Sequence, residues 1–483
     1  MKKIIYSMLL GGLIFFLPAC SKFTEITPKG KNILNRVSDL DLILNFNYSY
    51  NSAVTATSLA GSTTANEAFN PIDAAVVVND LYPTTTNVPA LIAAGTKTLP
   101  YALVTYDETI DRKALATSDM KYEKMYFIIN NVCNVVIKNA DQASGDRVVA
   151  NRLKCEAYIL RAYMHYLLVN FYARAYNPAS AATDGGVPYV KEDNLSTTAN
   201  VKSTVAEVYA NVLNDINTAF DLNGLPSVPV NNMRAGLGFA YGVKAKVLLS
   251  MHNYTGAMAA ADASLAINST VIDYNAYAPV GTSPFNKPIV TAPDNLFYAS
   301  YNGAATFQAP SLEVMTNYET GNVLNDYIKP YYPLASPFNP IAGSKLFYAG
   351  TAVFAINTIG ITTTDTYLIK AECQARSNDV VGAMATLNAL RKKRVKTSVY
   401  TDLNATTEPQ AMAHLMKFSR TEFLYTFKNY LNIKRWNTED AYKQTITRTV
   451  NGVAYTLKPE SPLYIFPFPL SATDYNTNLT QNY

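Results

Sequence analysis

Apolar residues recur at helical spacing in two broad blocks of this chain, and they lose that period in two long stretches between and before them. Ser38 with Asp41 three positions on forms a capping-box pattern ahead of Leu40, Ile43 and Leu44, which predicts a helix start. From 121 to 139, Tyr122, Met125, Ile129, Val132 and Val136 share one face. From 155 to 172 two stripes run side by side, Cys155-Ile159-Ala162-Tyr166-Val169 and Leu160-Met164-Leu167-Phe171. A helix apolar on two faces is sandwiched between neighbours. Further helices are predicted at 204–221, 237–251 and 257–267, then at 366–391 as a second hairpin, and at 410–434.

The two hairpins repeat a detail. Gly-Ala-Met-Ala stands at Gly256 to Ala259 and again at Gly382 to Ala385, at the head of each second helix. Small residues there let helices approach, as in tetratricopeptide-type stacking. The predicted fold is mainly α, with tetratricopeptide-like helix pairs at about 121–267 and 365–436 of a single domain spanning 32–483. The stretches 51–106 and 270–361 are read as irregular excursions with small elements; loops of that length are usually functional or mobile. A loop with Gly185 and Gly186 fills 178–188. Near the end, Asn451-Gly452 between Thr449-Val450 and Val453-Ala454-Tyr455 signals a two-residue β-hairpin.

Composition narrows the function classes. Setting aside Lys2 and Lys3, the 40 basic residues fall to 38 against 36 acidic ones, a net of +2 that gives no nucleic-acid footprint. Charged residues are scarce at 16%, whereas tyrosine reaches 35 against one tryptophan, Trp436. Surfaces rich in tyrosine, asparagine, serine and threonine bind by stacking and neutral hydrogen bonds. Cys133, Cys155 and Cys373 lie within apolar helical patterns and are read as buried free thiols. No cofactor is implied: there is no zinc-protease pair, serine elbow or phosphate loop. The glycines of 236–242 lack the dinucleotide spacing. His165, His252 and His414 sit on or beside separate helices, and His165 is read as a satisfied helix residue. Asp107, Glu108 and Asp111 are read as solvated loop charges rather than a metal site.

At the start, Lys2 and Lys3 precede an apolar run at 4–17 and then Leu17-Pro18-Ala19-Cys20. The run is too short to span a bilayer and reads as an export signal over 1–19. Its end resembles a bacterial lipobox, which implies a lipidated Cys20 and a polar tether over 20–31. Two or more acyl chains make such an anchor durable.

Several further stretches fall in a common order: Cys20-Ser21-Lys22-Phe23 with Thr27-Pro28, Glu156-Ala157-Tyr158-Ile159-Leu160-Arg161-Ala162-Tyr163, Gly186-Val187-Pro188, Tyr367-Leu368-Ile369-Lys370-Ala371-Glu372 with Leu387-Asn388-Ala389-Leu390-Arg391, Leu431-Asn432-Ile433-Lys434-Arg435-Trp436, and Tyr464-Ile465-Phe466-Pro467-Phe468-Pro469. In this set the chain resembles the RagB/SusD outer-membrane lipoproteins of Bacteroidetes. It departs at Asn432, where the family usually has aspartate, and in 421–430, which is less charged. The resemblance implies a cell-surface protein that performs no chemistry, captures a nutrient and closes as a lid over a TonB-dependent transporter of the SusC type. The ligand implied is an oligosaccharide, with a peptide or an adhesion role as alternatives. Loops over a rigid scaffold are where recognition tends to sit. The candidate ligand contacts are therefore Asn66, Tyr82, Tyr101 and Tyr106 in the first excursion, and Tyr298, Tyr301, Asn302, Phe307 and Tyr318 in the second. Rings there would stack on sugar faces while amides bind hydroxyls. The competing use of these rings is to pack the loops onto the helices. Trp436 is expected to be a structural anchor.

Overall fold

The computed structural model describes residues 34–46, 48, 72–83, 87–194, 198–277, 290–300, 309–325, 341–344 and 357–483. The signal, the tether and Cys20 lie outside them. The described chain is mainly helical, as predicted.

Helix α1 (Val37–Leu44) starts one residue before the predicted cap and has no side-chain cap. Its start is set by tertiary structure instead: Val37 N donates to Ser144 O at 3.0 Å, beside a bridge between Arg36 and Ser144. The described part of the first excursion holds three short helices, α2 (Ile72–Val77), α3 (Val88–Ala94) and α4 (Leu99–Thr105), and α5 (Arg112–Leu115) follows it. Asn87 and Thr98 cap α3 and α4, and a proline sits in the first turn of each, where no backbone donor is needed.

The predicted helix at 121–139 is α6 (Met120–Ile128) and α7 (Asn134–Asn139), joined by a π-helical turn at Ile129–Cys133. Helix α8 (Arg147–Tyr172) begins earlier than its apolar stripes suggest, because Asp146 accepts from Val148 N and Val149 N. Both stripes are buried, so α8 is the central rod of the main core. Helix α9 (Val205–Asp221) opens with a full capping box from Thr204 and Glu207.

The two hairpins are α10 (Leu237–Ser250) with α11 (Tyr254–Ile267), and, beyond the short α12 (Leu312–Met315), α13 (Thr363–Arg376) with α14 (Val380–Arg391). Helix α8 packs on α9, α10 on α11, α11 on α13 and α13 on α14, giving the stacked pairs expected of such repeats. The repeated glycine has a local reason. Asn253 and Asp379 cap the second helices by accepting from Gly256 N and Gly382 N, both at 2.9 Å. A Cβ on Gly382 would lie 2.1 Å from the Asp379 carboxylate. The glycine leaves room for the cap, while Ala257, Ala261 and Ala383, fully buried, make the close packing.

The pattern at 410–434 divides into α15 (Glu408–Glu422) and α16 (Lys428–Trp436), with Tyr425 at φ 70° in the turn between them. Two small antiparallel ladders complete the described structure: β1 (Asn295–Phe297) with β2 (Ile361–Thr362), and β3 (Ile446–Val450) with β4 (Val453–Leu457). The second is the predicted hairpin, with Asn451 and Gly452 both at positive φ as a type I′ turn demands. A last short helix, α17 (Leu470–Thr473), precedes a tail that returns to α8. There Lys202 Nζ donates to Thr480 O and Asn482 Oδ1, each at 2.8 Å, and Asn482 Nδ2 donates to Tyr172 O at 2.7 Å and Gly186 O at 2.8 Å.

Candidate functional site

The scaffold beneath the excursions is braced by buried ions. Glu372 on α13 accepts from Arg435 Nη1 and Nη2, both at 2.7 Å, and from Trp436 Nε1 at 3.0 Å. Burial pushes this carboxyl up, but the charge and hydrogen bonds of Arg435, with Arg376 and Trp436, outweigh it and hold it below its ordinary range. Asp365, fully enclosed, lies 2.9 Å from Lys246 and 2.7 Å from Lys428; its burial is likewise outweighed by the two ammonium groups. The space between these groups, about 40 Å³, is water-sized. On α8, Arg161 meets Asp215 with Nε and Nη2 at 2.7 and 2.8 Å. His165 is a satisfied helix residue, as expected: Nδ1 bonds Arg161 O and Nε2 accepts from Val190 N, both at 3.0 Å. Burial lowers its pKa to about 3, only partly offset by the Arg161 carbonyl. Trp436 is a buried anchor, and Cys133, Cys155 and Cys373 are buried free thiols.

Of the ring and amide candidates, Asn66, Tyr301, Asn302 and Phe307 lie outside the described residues. Tyr82 is fully enclosed, and its hydroxyl accepts from Leu312 N at 3.2 Å. Together with the bond from Tyr82 N to Ala309 O and the bridge of Leu81 to Pro310, it ties the first excursion to the second. Tyr106 is buried with the Arg448 guanidinium 4.9 Å from its ring centre. Tyr298 is fully enclosed, and Tyr318 packs with Leu81, Val314 and Tyr425 in a satellite core. Tyr101 is half-buried beneath the Lys97 ammonium. The faces of Tyr82, Tyr106, Tyr298 and Tyr318 are therefore taken by protein in this conformation. They fasten the loops to the helices, and a ligand reaches them only if an excursion moves. Asp107 pairs with Lys97 at 2.8 Å and Asp111 caps α5, both structural uses. Among the described residues no cluster of His, Cys, Asp and Glu is placed to hold a metal.

What the described part of the second excursion does offer is a walled cavity. The chain at 319–323 is pinned to the segment after α14: Val323 N donates to Arg394 O and Lys396 N to Gly321 O, each at 2.9 Å, around a bridge of Asn322 with Val395. Gly321 has φ +81°, and a Cβ there would lie 2.2 Å from Val399 Cγ2, so the close approach requires glycine. Arg391 on α14 reaches the Glu319 carboxylate with Nε at 3.1 Å and also with Nη2, and Asn388 and Thr401 hold it from behind. Between this wall and α15 lies a cavity of about 150 Å³, partly open, with Phe418 and Leu403 among its lining. Helix α15 contributes His414, Lys417, Phe418 and Thr421. The 3-1-3 spacing of these four was visible in the sequence as one helix face. What was not visible is that the excursion would come to stand opposite it.

A stack of helix pairs to which buried tyrosines fasten the described parts of two long excursions defines a helical-repeat scaffold that carries loop-rich segments. Residues 84–249 match the family described as SusD-like, "Starch-binding associating with outer membrane", and residues 354–483 match the SusD family. The chain belongs to the SusD/RagB family. Its fold is similar to that of a SusD superfamily protein of Bacteroides thetaiotaomicron, with a TM-score of 0.70 and 18% identity over 93% of this chain and 100% of that one. A SusD-like carbohydrate binding protein of Bacteroides vulgatus gives 0.65 and 17% over 93% and 98%. A SusD superfamily protein of Bacteroides fragilis gives 0.65 and 14% over 93% and 100%. No curated protein matches the chain.

Proposed function

We propose that this chain is a cell-surface lipoprotein that captures an oligosaccharide and acts as the lid of a TonB-dependent outer-membrane transporter. It binds and does not catalyse. Family membership is the observation that carries the reading, since the family matched at residues 84–249 is described through starch binding and the outer membrane. The anchor in this reading is lipid on Cys20, after cleavage of 1–19. It agrees with the finding that no helix among the described residues is long and apolar enough to cross a membrane. Binding at the excursions favours the closed lid by its differential affinity for that state.

Calorimetric titration of the purified full-length protein against panels of oligosaccharides and peptides tests the ligand class. Saturable one-site binding of a glycan is expected, and binding of peptides alone would overturn it. Deleting the partner transporter should abolish uptake while leaving binding by the isolated protein intact; uptake at full rate without the barrel would sink the lid.

A further inference from the structure

We propose that the cavity between the second excursion and α15 takes one terminal sugar ring bearing a carboxylate, an inference that rests on the glycan-binding reading above. Size sets the first limit. A cavity of about 150 Å³ has room for one six-membered ring, and the rest of a longer ligand would leave through its open side. Phe418 and Leu403 supply apolar wall for one face of such a ring.

The polar groups then decide what kind of ring. Asn322 is 4% exposed. Its side-chain carbonyl is committed to Leu324 N at 3.0 Å and Asn325 N at 3.4 Å, while its amide nitrogen has no acceptor among the described residues. Thr421 donates its hydroxyl proton to Phe418 O, which leaves the oxygen as an acceptor. Asn317 donates to Val314 O and keeps its carbonyl free to accept. The lining thus offers acceptors for hydroxyl groups and an amide donor for a ligand oxygen. A plain aromatic acid would leave those acceptors dry and unpaired, at a cost of about 1–3 kcal/mol for each one fully desolvated. A polyhydroxylated ring satisfies them.

Charge gives the last element. The Glu319 carboxylate is neutralised by Arg391, and that pair cancels. Lys417, which lines the cavity from the exposed side of α15, forms no ion pair among the described residues. An uncompensated ammonium beside an otherwise balanced cavity favours a ligand that carries one negative charge, as an acidic sugar does at neutral pH.

The test uses the purified full-length protein with the methyl glycosides of glucuronate and galacturonate, methyl glucoside and benzoate as probes, by calorimetry. At least one uronide should bind saturably, more tightly than methyl glucoside or benzoate, and more weakly as salt rises. Lys417→Gln should weaken uronide binding about fivefold and leave the melting temperature unchanged, because Lys417 is exposed. Equal binding of the neutral glucoside, equal binding of benzoate, no uronide binding, or an unchanged affinity in K417Q would each overturn the proposal. The two readings fail separately. A neutral oligosaccharide bound equally by the protein and by K417Q keeps the glycan reading and removes this one. Uronide binding that K417Q weakens, with uptake unaffected by loss of the barrel, keeps this one and removes the lid.

Discussion

The helix stack and the second-excursion wall are both well ordered by hydrogen bonds, but they spend them differently. In the stack, single side chains carry large electrostatic loads: Glu372 receives two donors from Arg435 and one from Trp436, and Asp365 answers two lysines. At the wall, position is set by backbone bonds to the residues after α14 and by the absence of a side chain at Gly321. One region is therefore sensitive to the loss of a charge and the other to the gain of a carbon atom. The lid proposed above would use both properties, a frame that does not deform and a loop wall that is shaped locally.

The contrast can be broken most forcefully at Glu372. Glu372→Ala leaves Arg435 buried without its carboxylate and should cost about 3–5 kcal/mol, read as a fall in the denaturant midpoint. A loss under about 1 kcal/mol would mean that the brace is not sustained by this pair.

Acid sharpens the same point without a mutation. His165 binds no proton in the fold until about pH 3, whereas in the unfolded chain it titrates near its ordinary value. Between those values the unfolded state holds more protons, so stability rises with pH and is lost as pH falls. The expected loss from this residue is about 2 kcal/mol by pH 5. Asp365 and Glu372, held below their ordinary range, contribute stability above the unfolded carboxylate values and lose it as pH falls through and below them. Denaturant unfolding from pH 7 to pH 5 should show the decline, and His165→Gln should flatten that limb; an equal slope in both proteins would reject the assignment.

The smallest effect is expected at the wall. Gly321→Ala introduces strain at positive φ and a contact with Val399, whose exposed side chain can move, so the cost should be about 1–2 kcal/mol. Its signature is local: hydrogen exchange should speed up at Val323 and Lys396 while the amides of α8 stay protected.

The same contrast explains what could be read in advance. Caps and periods report on neighbours in sequence, so Thr204 with Glu207, the paired hairpins, and the Asn451-Gly452 turn were legible. Where distant contacts decide, local signals misled. Ser38 looked like a cap, but Ser144 sets the start of α1. The run at 410–434 kept its apolar period through a turn that ends α15. Tyrosines in the excursions looked like ligand platforms, but Tyr82, Tyr106, Tyr298 and Tyr318 are enclosed, because long segments of small polar residues have few other groups with which to hold on to a core. Arg448 shows the limit most plainly. It alternates correctly for a strand, yet its guanidinium serves Val76 O, Leu103 O and Val104 O, the C-terminal carbonyls of α2 and α4, 344 to 372 positions away. No spacing rule connects such residues.

The last turn of α8 has its carbonyls capped by Lys434 and Asn482, which lie 264 and 310 positions downstream. At ordinary translation rates that gap lasts roughly 15 to 60 s. For all of that time the central rod of the protein has an unfinished end, and only the late arrival of residues 480–482 closes it. Completion of the fold is thereby tied to the synthesis of residues 480–482, and a nascent chain cannot present a finished scaffold before this closing strap has been made.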